Sequence, residues 1–198
     1  MPPTSRAGDP SAGIDLLKSH ARVLHRAAQS NQAAALARVR IHPELHKLSD
    51  GCIAAQVKRR HCLTVAASEL GFDSWPQAAQ ILRGEVPADR ARLLCPDKCI
   101  VFTNIWSARY QDARTVRAQT GGYLLAYRRQ YLVVDRHYIA ALGMDPDDDA
   151  WQSMNRDWLE PGRGRERCGL YARAIDAAIR DFLQRGPQFK SSVRRVSI

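Results

Sequence analysis

The sequence predicts a predominantly helical α+β fold: an all-helical module over residues 13–84, then a small β-sheet with flanking helices over residues 96–185. Three observations predict it. Apolar residues recur at helical spacing through the first half. β-Branched and aromatic residues concentrate in 100–106 and along 123–135, the composition of strands. Residues 168–183 then read as one amphipathic helix, with Leu170, Ala174, Ala177, Ala178 and Phe182 near one face.

Taken in order, residues 1–12 hold three prolines among small polar residues and are expected to form a disordered arm. Ile14, Leu17, Ala21, Leu24 and Ala28 predict a helix over 13–29. Asn31 is a candidate N-cap for a second helix carrying Ala34, Leu36, Ala37 and Val39, stopped before Pro43. Ser49 or Asp50 can cap a third helix with Ile53 and Val57. A fourth runs from about His61 to Leu70, with Gly71 as its left-handed stop. Pro76 suits the first turn of a fifth, reaching Leu82. Leu63, Ala66, Leu70, Phe72, Trp75 and Ile81 are the expected core of this half, and Gly71→Val is expected to destabilise it badly.

Residues 85–95, within a Gly84–Pro96 stretch that has two prolines and alternating charge, are assigned to a linker. Ile100–Trp106 is the first expected strand, and Ser107 the cap of a helix bearing Tyr110, Ala113, Val116 and Arg117. After Gly121-Gly122, residues 123–135 read as extended, as one strand or as two bent near Arg128-Arg129. A short helix over 136–142 stops at Gly143, and the acidic turn 145–149 opens another, with Trp151, Met154 and Trp158 as its apolar stripe. Residues 186–198, with Lys190, Arg194 and Arg195 and no acid, are expected to form a flexible basic tail.

The formal net charge of +10 favours polyanionic partners. Of the 30 basic residues only five are lysines, so 25 are arginines, a skew that codon bias in a GC-rich genome also produces. No apolar run approaches the ~18 residues of a membrane span. The N-terminus has no secretory signal and five cysteines is an odd number, so a cytoplasmic protein with reduced thiols is expected.

Leu48-Ser49-Asp50 followed by Leu63-x-x-Ala66-Ala67-x-x-Leu70-Gly71-Phe72-x-Ser74-Trp75-Pro76 resembles a short helical module of uncharacterised bacterial proteins. That module often sits beside ankyrin-repeat or glyoxalase-related domains. The resemblance implies a helical fold for roughly a third of the chain and implies no activity. No repeat of the roughly 33-residue ankyrin period follows.

A DNA-reading helix-turn-helix fails on register, because Gln77 and Gln80 stand where apolar residues are needed while Ala78 and Ile81 carry them. Cys95-x-x-x-Cys99 lacks a second ligand pair and His42-x-Glu44-x-His46 lacks the zinc-protease spacing, so no metal is expected. The Asp145–Asp149 run does not fit a calcium loop, and neither a nucleophile elbow nor a glycine-rich phosphate loop occurs, so no catalytic residue and no cofactor are assigned. Strand alternation over 123–135 would place Tyr123, Tyr127, Arg129 and Tyr131 on one face, a surface suited to unpaired bases and phosphates. The leading expectation is therefore a non-enzymatic binding or regulatory protein that engages nucleic acid or another polyanion through Tyr127, Arg128, Arg129, Tyr131, Arg194 and Arg195. Two alternatives stand beside it: a small enzyme using Tyr123, Tyr127, Arg128 and Asp135 on an anionic small molecule, and a protein–protein adaptor or homo-oligomer with Trp106, Trp151 and Trp158 as anchors.

Overall fold

The structure, a computed structural model, describes residues 9, 11–86 and 93–185. Most of the expected arm, part of the expected linker, and the whole basic tail with Arg194 and Arg195 lie outside these residues. The fold is predominantly helical α+β, with one small antiparallel sheet.

Helix α1 (Ala12–Gln29) is the central element, because its whole apolar stripe finds cover. Ile14, Leu17, Ala21, Leu24 and Ala28 are all buried, and each leucine contributes about 1.5–3 kcal/mol by leaving water. α2 (Ala33–Val39), α3 (Asp50–Gln56), α4 (Arg59–Glu69) and α5 (Trp75–Leu82) pack around it from one half of the chain. The long C-terminal α9 (Gly164–Arg185) packs along it from the other. One buried cluster accordingly contains Leu17 and Ile53 together with Leu132, Trp151 and Ile175.

Local chemistry sets the helix ends. Ser49 Oγ accepts the Cys52 N–H at the start of α3, and Ser74 Oγ accepts the Gln77 N–H at the start of α5. α4 ends as expected: Gly71 takes φ 88°, its N–H donates to the Ser68 carbonyl, and the Phe72 N–H reaches back to Ala67. Asn31 does not cap α2. It takes φ 57° as the left-handed stop of α1, with its N–H on the Ala28 carbonyl and the Gln32 N–H on Ala27. A short amide side chain is one of the few that tolerates that conformation. Of the expected helical core, Ala66, Leu70, Phe72 and Ile81 are buried, while Leu63 and Trp75 are half-buried against it.

The second half corrects two readings. Ile100 and Val101 are not in a strand; they lie in a 3-10 turn at Asp97–Val101, and each is 81% exposed. The strand β1 is only Ile105–Ser107, so Ser107 belongs to it, and α6 (Tyr110–Thr120) starts later with Arg109 at its N-cap. The extended segment is a hairpin, β2 (Tyr123–Tyr127) and β3 (Gln130–Val134), joined by Arg128-Arg129. The strand order is β1-β3-β2, all antiparallel.

α7 (Arg136–Ala141) is capped by Asp135, whose Oδ1 accepts the Tyr138 N–H at 2.8 Å. Gly143 ends it at φ 84°, so close to α9 that an added Cβ would fall 2.2 Å from the Ala177 Cβ. α8 (Asp149–Ser153) is capped by Asp148. Trp151, Met154 and Trp158 are wholly buried, which removes Trp151 and Trp158 as exposed anchors.

Candidate nucleic-acid interface

Register decides what the hairpin presents. Tyr127 pairs with Gln130, Ala126 with Tyr131 and Leu125 with Leu132. Opposed residues share a face, so a two-residue turn puts Tyr127 and Tyr131 on opposite faces of the sheet. The single face carrying Tyr123, Tyr127, Arg129 and Tyr131 therefore does not exist. Tyr131 belongs to the side covered by α6, where it packs on Tyr110 at 5.6 Å beside Ala113, Leu124 and Val133. Tyr110 is itself held: its hydroxyl donates to the fully buried Asp157 at 2.8 Å, and burial together with that carboxylate pushes its pKa up to about 12.

The other face is main core at Tyr123, Leu125, Leu132 and Val134, and reaches solvent at its hairpin end. There β1 supplies Trp106, which pairs with Leu132 and stands 6.4 Å from Tyr127 in an edge-on arrangement. Trp106 is 44% exposed. The Arg128 guanidinium lies over the Tyr127 ring at 5.3 Å, so this tyrosine is already covered on that side. Arg128 and Arg129 are exposed, as is Arg109 two residues past β1, and none of the three has a carboxylate partner among the described residues. Arg128 also holds φ 56°, a conformation that costs a non-glycine residue about 1 kcal/mol or more. The outer edge of β2 is closed by the Leu124 N–H to Arg156 and the Trp158 N–H to Leu124. The outer edge of β1 makes no such backbone bond among the described residues.

The set Tyr123, Tyr127, Arg128 and Asp135 does not converge. Tyr127 and Arg128 stand at the hairpin end, and Tyr123 and Asp135 at the opposite end of the sheet beside a cleft of about 380 Å³. The Tyr123 hydroxyl donates to the Pro146 carbonyl and Asp135 is committed to capping α7.

Two further places, one acid-rich and one histidine-rich, join residues that no sequence spacing links. A groove of about 1030 Å³ between α1, α8 and α9 is lined by Asp15, Asp145, Asp148, Asp149, Glu166 and Asp176, among others. Its sign is wrong for a polyanion, and Asp148, Asp176 and Glu166 are paired with Arg173, Arg180 and Arg163. The fold also gathers His42, Glu44 and His61, with ligand atoms within 4.8 Å of one another, while His46 turns to the Pro43 carbonyl. Each histidine's Nδ1 lone pair is spent. The Lys58 N–H donates to His61 Nδ1 at 3.1 Å and the Glu44 N–H to His42 Nδ1 at 3.2 Å. The neutral His61 proton then sits on Nε2 and donates to Glu44 Oε2 at 3.0 Å, where Arg60 also donates at 2.8 Å. A metal at Nε2 would need the proton on Nδ1, against a backbone N–H. Burial, partly offset by Glu44, holds the His61 pKa below its ordinary value. The group is a hydrogen-bonded clasp on the start of α4.

The cysteines Cys52, Cys62, Cys95, Cys99 and Cys168 are all free. Burial pushes the thiols of Cys62 and Cys99 up to about 11, so neither is a ready nucleophile. Comparison with known families, curated proteins and solved structures gives no match. Among the described residues no helix is long and apolar enough to cross a membrane.

Trp106 is the residue of this surface that strand alternation could not have found. Its place beside Tyr127 depends on the pairing of β1 with β3, which sets Trp106 opposite Leu132 from a distant part of the chain.

Proposed function

We propose that this is a non-enzymatic nucleic-acid-binding protein whose contact surface is the hairpin end, with Arg128, Arg129 and Arg109 on phosphates. One observation carries the reading: these three arginines are exposed, unpaired among the described residues and gathered with Trp106 and Tyr127 at one end of the sheet, whereas Arg38, Arg40, Arg60, Arg136 and Arg173 are engaged by carboxylates and the exposed, unpaired Arg22, Arg26, Arg59 and Arg165 stand on helices. Arg128 bears backbone strain in that position, which supports a role beyond stability. The net charge of +10 supports long-range attraction to a polyanion. Arg194 and Arg195 remain part of the proposal as further basic contacts. The free cysteines support a cytoplasmic setting.

Fluorescence anisotropy of labelled oligonucleotides across a salt series tests it. Binding is expected to weaken steeply with salt, and replacing Arg128 and Arg129 together by alanine is expected to lower the salt slope by about 0.7 per lost contact on a single strand. Binding indifferent to that double substitution removes the hairpin from the reading. A second reading, a protein partner, is favoured by the exposure of Ile100 and Val101, a few residues before β1, whose outer edge makes no backbone bond among the described residues. Size exclusion over a range of concentrations, with Ile100→Ser and Val101→Ser as the comparison, tests self-association there.

A further inference from the structure

Resting on the nucleic-acid reading, we infer that the ligand is single-stranded and that Trp106, rather than either tyrosine, is the residue on which a base stacks. The tyrosines are occupied. Tyr131 lies under α6 against Tyr110. Tyr127 has Arg128 over its ring and the Trp106 indole 6.4 Å away in a T-shaped contact. Trp106 alone of the three keeps a large exposed aromatic surface, at 44%, although it sits in the middle of a strand and pairs with the fully buried Leu132.

Its surroundings complete a site for one unpaired base and its phosphates. Tyr127 packs against the indole in a T-shaped contact, and Arg128 is held by the same tyrosine. Arg129 and Arg109 stand at the same end of the sheet, without carboxylates that would compete with phosphate among the described residues. A base in a duplex is stacked on both faces and cannot lie on the indole, whereas every unpaired base offers a π-face. The outer edge of β1, which makes no backbone hydrogen bond among the described residues, runs alongside with its peptide groups available to base edges. The surface is therefore matched to a single strand by shape and by charge, and the stacking is tolerant of sequence.

The experiment uses the full chain and labelled oligonucleotides of about ten nucleotides, as a single strand and as a duplex of the same sequence. Trp106→Ala and Trp106→Phe accompany the parent, with polyglutamate as competitor. The single strand is expected to bind more tightly than the duplex and to quench tryptophan emission. Trp106→Ala is expected to weaken the single strand at least about fivefold and abolish the quenching, with duplex affinity and salt slope unchanged; Trp106→Phe recovers most of the single-strand affinity. Equal affinity for both forms, indifferent to Trp106→Ala but lost with Arg128 and Arg129, overturns the stacking and leaves the phosphate reading standing. No binding of either form at low salt overturns both. Polyglutamate competing as well as the oligonucleotide also overturns the inference, in favour of an acidic protein partner on the same edge.

Discussion

Arg38 and Arg128 make the same contact with opposite meanings. Each guanidinium lies over an aromatic ring, Arg38 on Phe182 at 4.8 Å and Arg128 on Tyr127 at 5.3 Å. Arg38 also donates to both oxygens of Glu69, at 2.8 and 2.7 Å, and to His20 Nε2 at 2.9 Å. That knot joins α1, α2, α4 and α9 where Arg38 and Glu69 are only about a tenth exposed. Arg128 has the ring and nothing else. In a chain with 25 arginines, composition assigns no roles; the carboxylate a guanidinium meets, or fails to meet, does so. A ring plus a bidentate carboxylate is structure, and a ring alone is a poised cation.

The largest expected effect breaks the buried half of this comparison. Arg38→Ala leaves Glu69 without its partner and should cost about 3–5 kcal/mol in denaturant unfolding, while the folded fraction still binds oligonucleotide normally. The pH dependence sharpens it. Burial alone would raise the Glu69 pKa, but the hydrogen bonds and charge of Arg38 outweigh it and hold the value below its ordinary 4.5. Because the folded value is the lowered one, Glu69 stabilises fully above pH 4.5 and loses that contribution as pH falls through the folded value. Acid titrations of Arg38→Ala should lack this component.

Next in size is the exposed half. Arg128→Ala with Arg129→Ala should weaken oligonucleotide binding roughly tenfold at low salt, with the melting temperature unchanged or raised. If stability falls by several kcal/mol instead, Arg128 resembles Arg38 and the contrast fails. Smallest is Arg128→Gly, which relieves the φ of 56°. It should gain up to about 1 kcal/mol in unfolding experiments and still lose affinity, separating stability from function at one position.

How much of this was legible in the sequence depended on distance along the chain. Local signals worked. Ser49, Ser74 and Gly71 mark helix ends through bonds to backbone a few residues away, and they hold in the structure. Asn31 has the chemistry of a helix start and is a stop, since the same small amide suits both and only its φ distinguishes them. Ile100 and Val101 have the composition of a strand, but no neighbouring strand pairs with them, and propensity without a partner makes no sheet. The candidate surface was half legible. Arg128 and Arg129 are legible as the bend, but strict alternation through them holds only for a straight chain. A two-residue turn shifts the phase, which sent Tyr131 under α6 and left the platform to Trp106. The Glu44–His61 clasp and the Arg38 knot join residues far apart in sequence, beyond the reach of any spacing rule.

The packing of α1 against α9 has a consequence for synthesis. α1 leaves the ribosome roughly 150 residues before α9, an interval of about 8–30 s at common elongation rates. Through that time the part of its apolar stripe that α9 covers stays wet, and the nascent chain has no complete core to close upon. Folding must finish after α9 emerges, so a stalled or truncated chain ending before α9 presents Ile14 and its neighbours to chaperones and proteases.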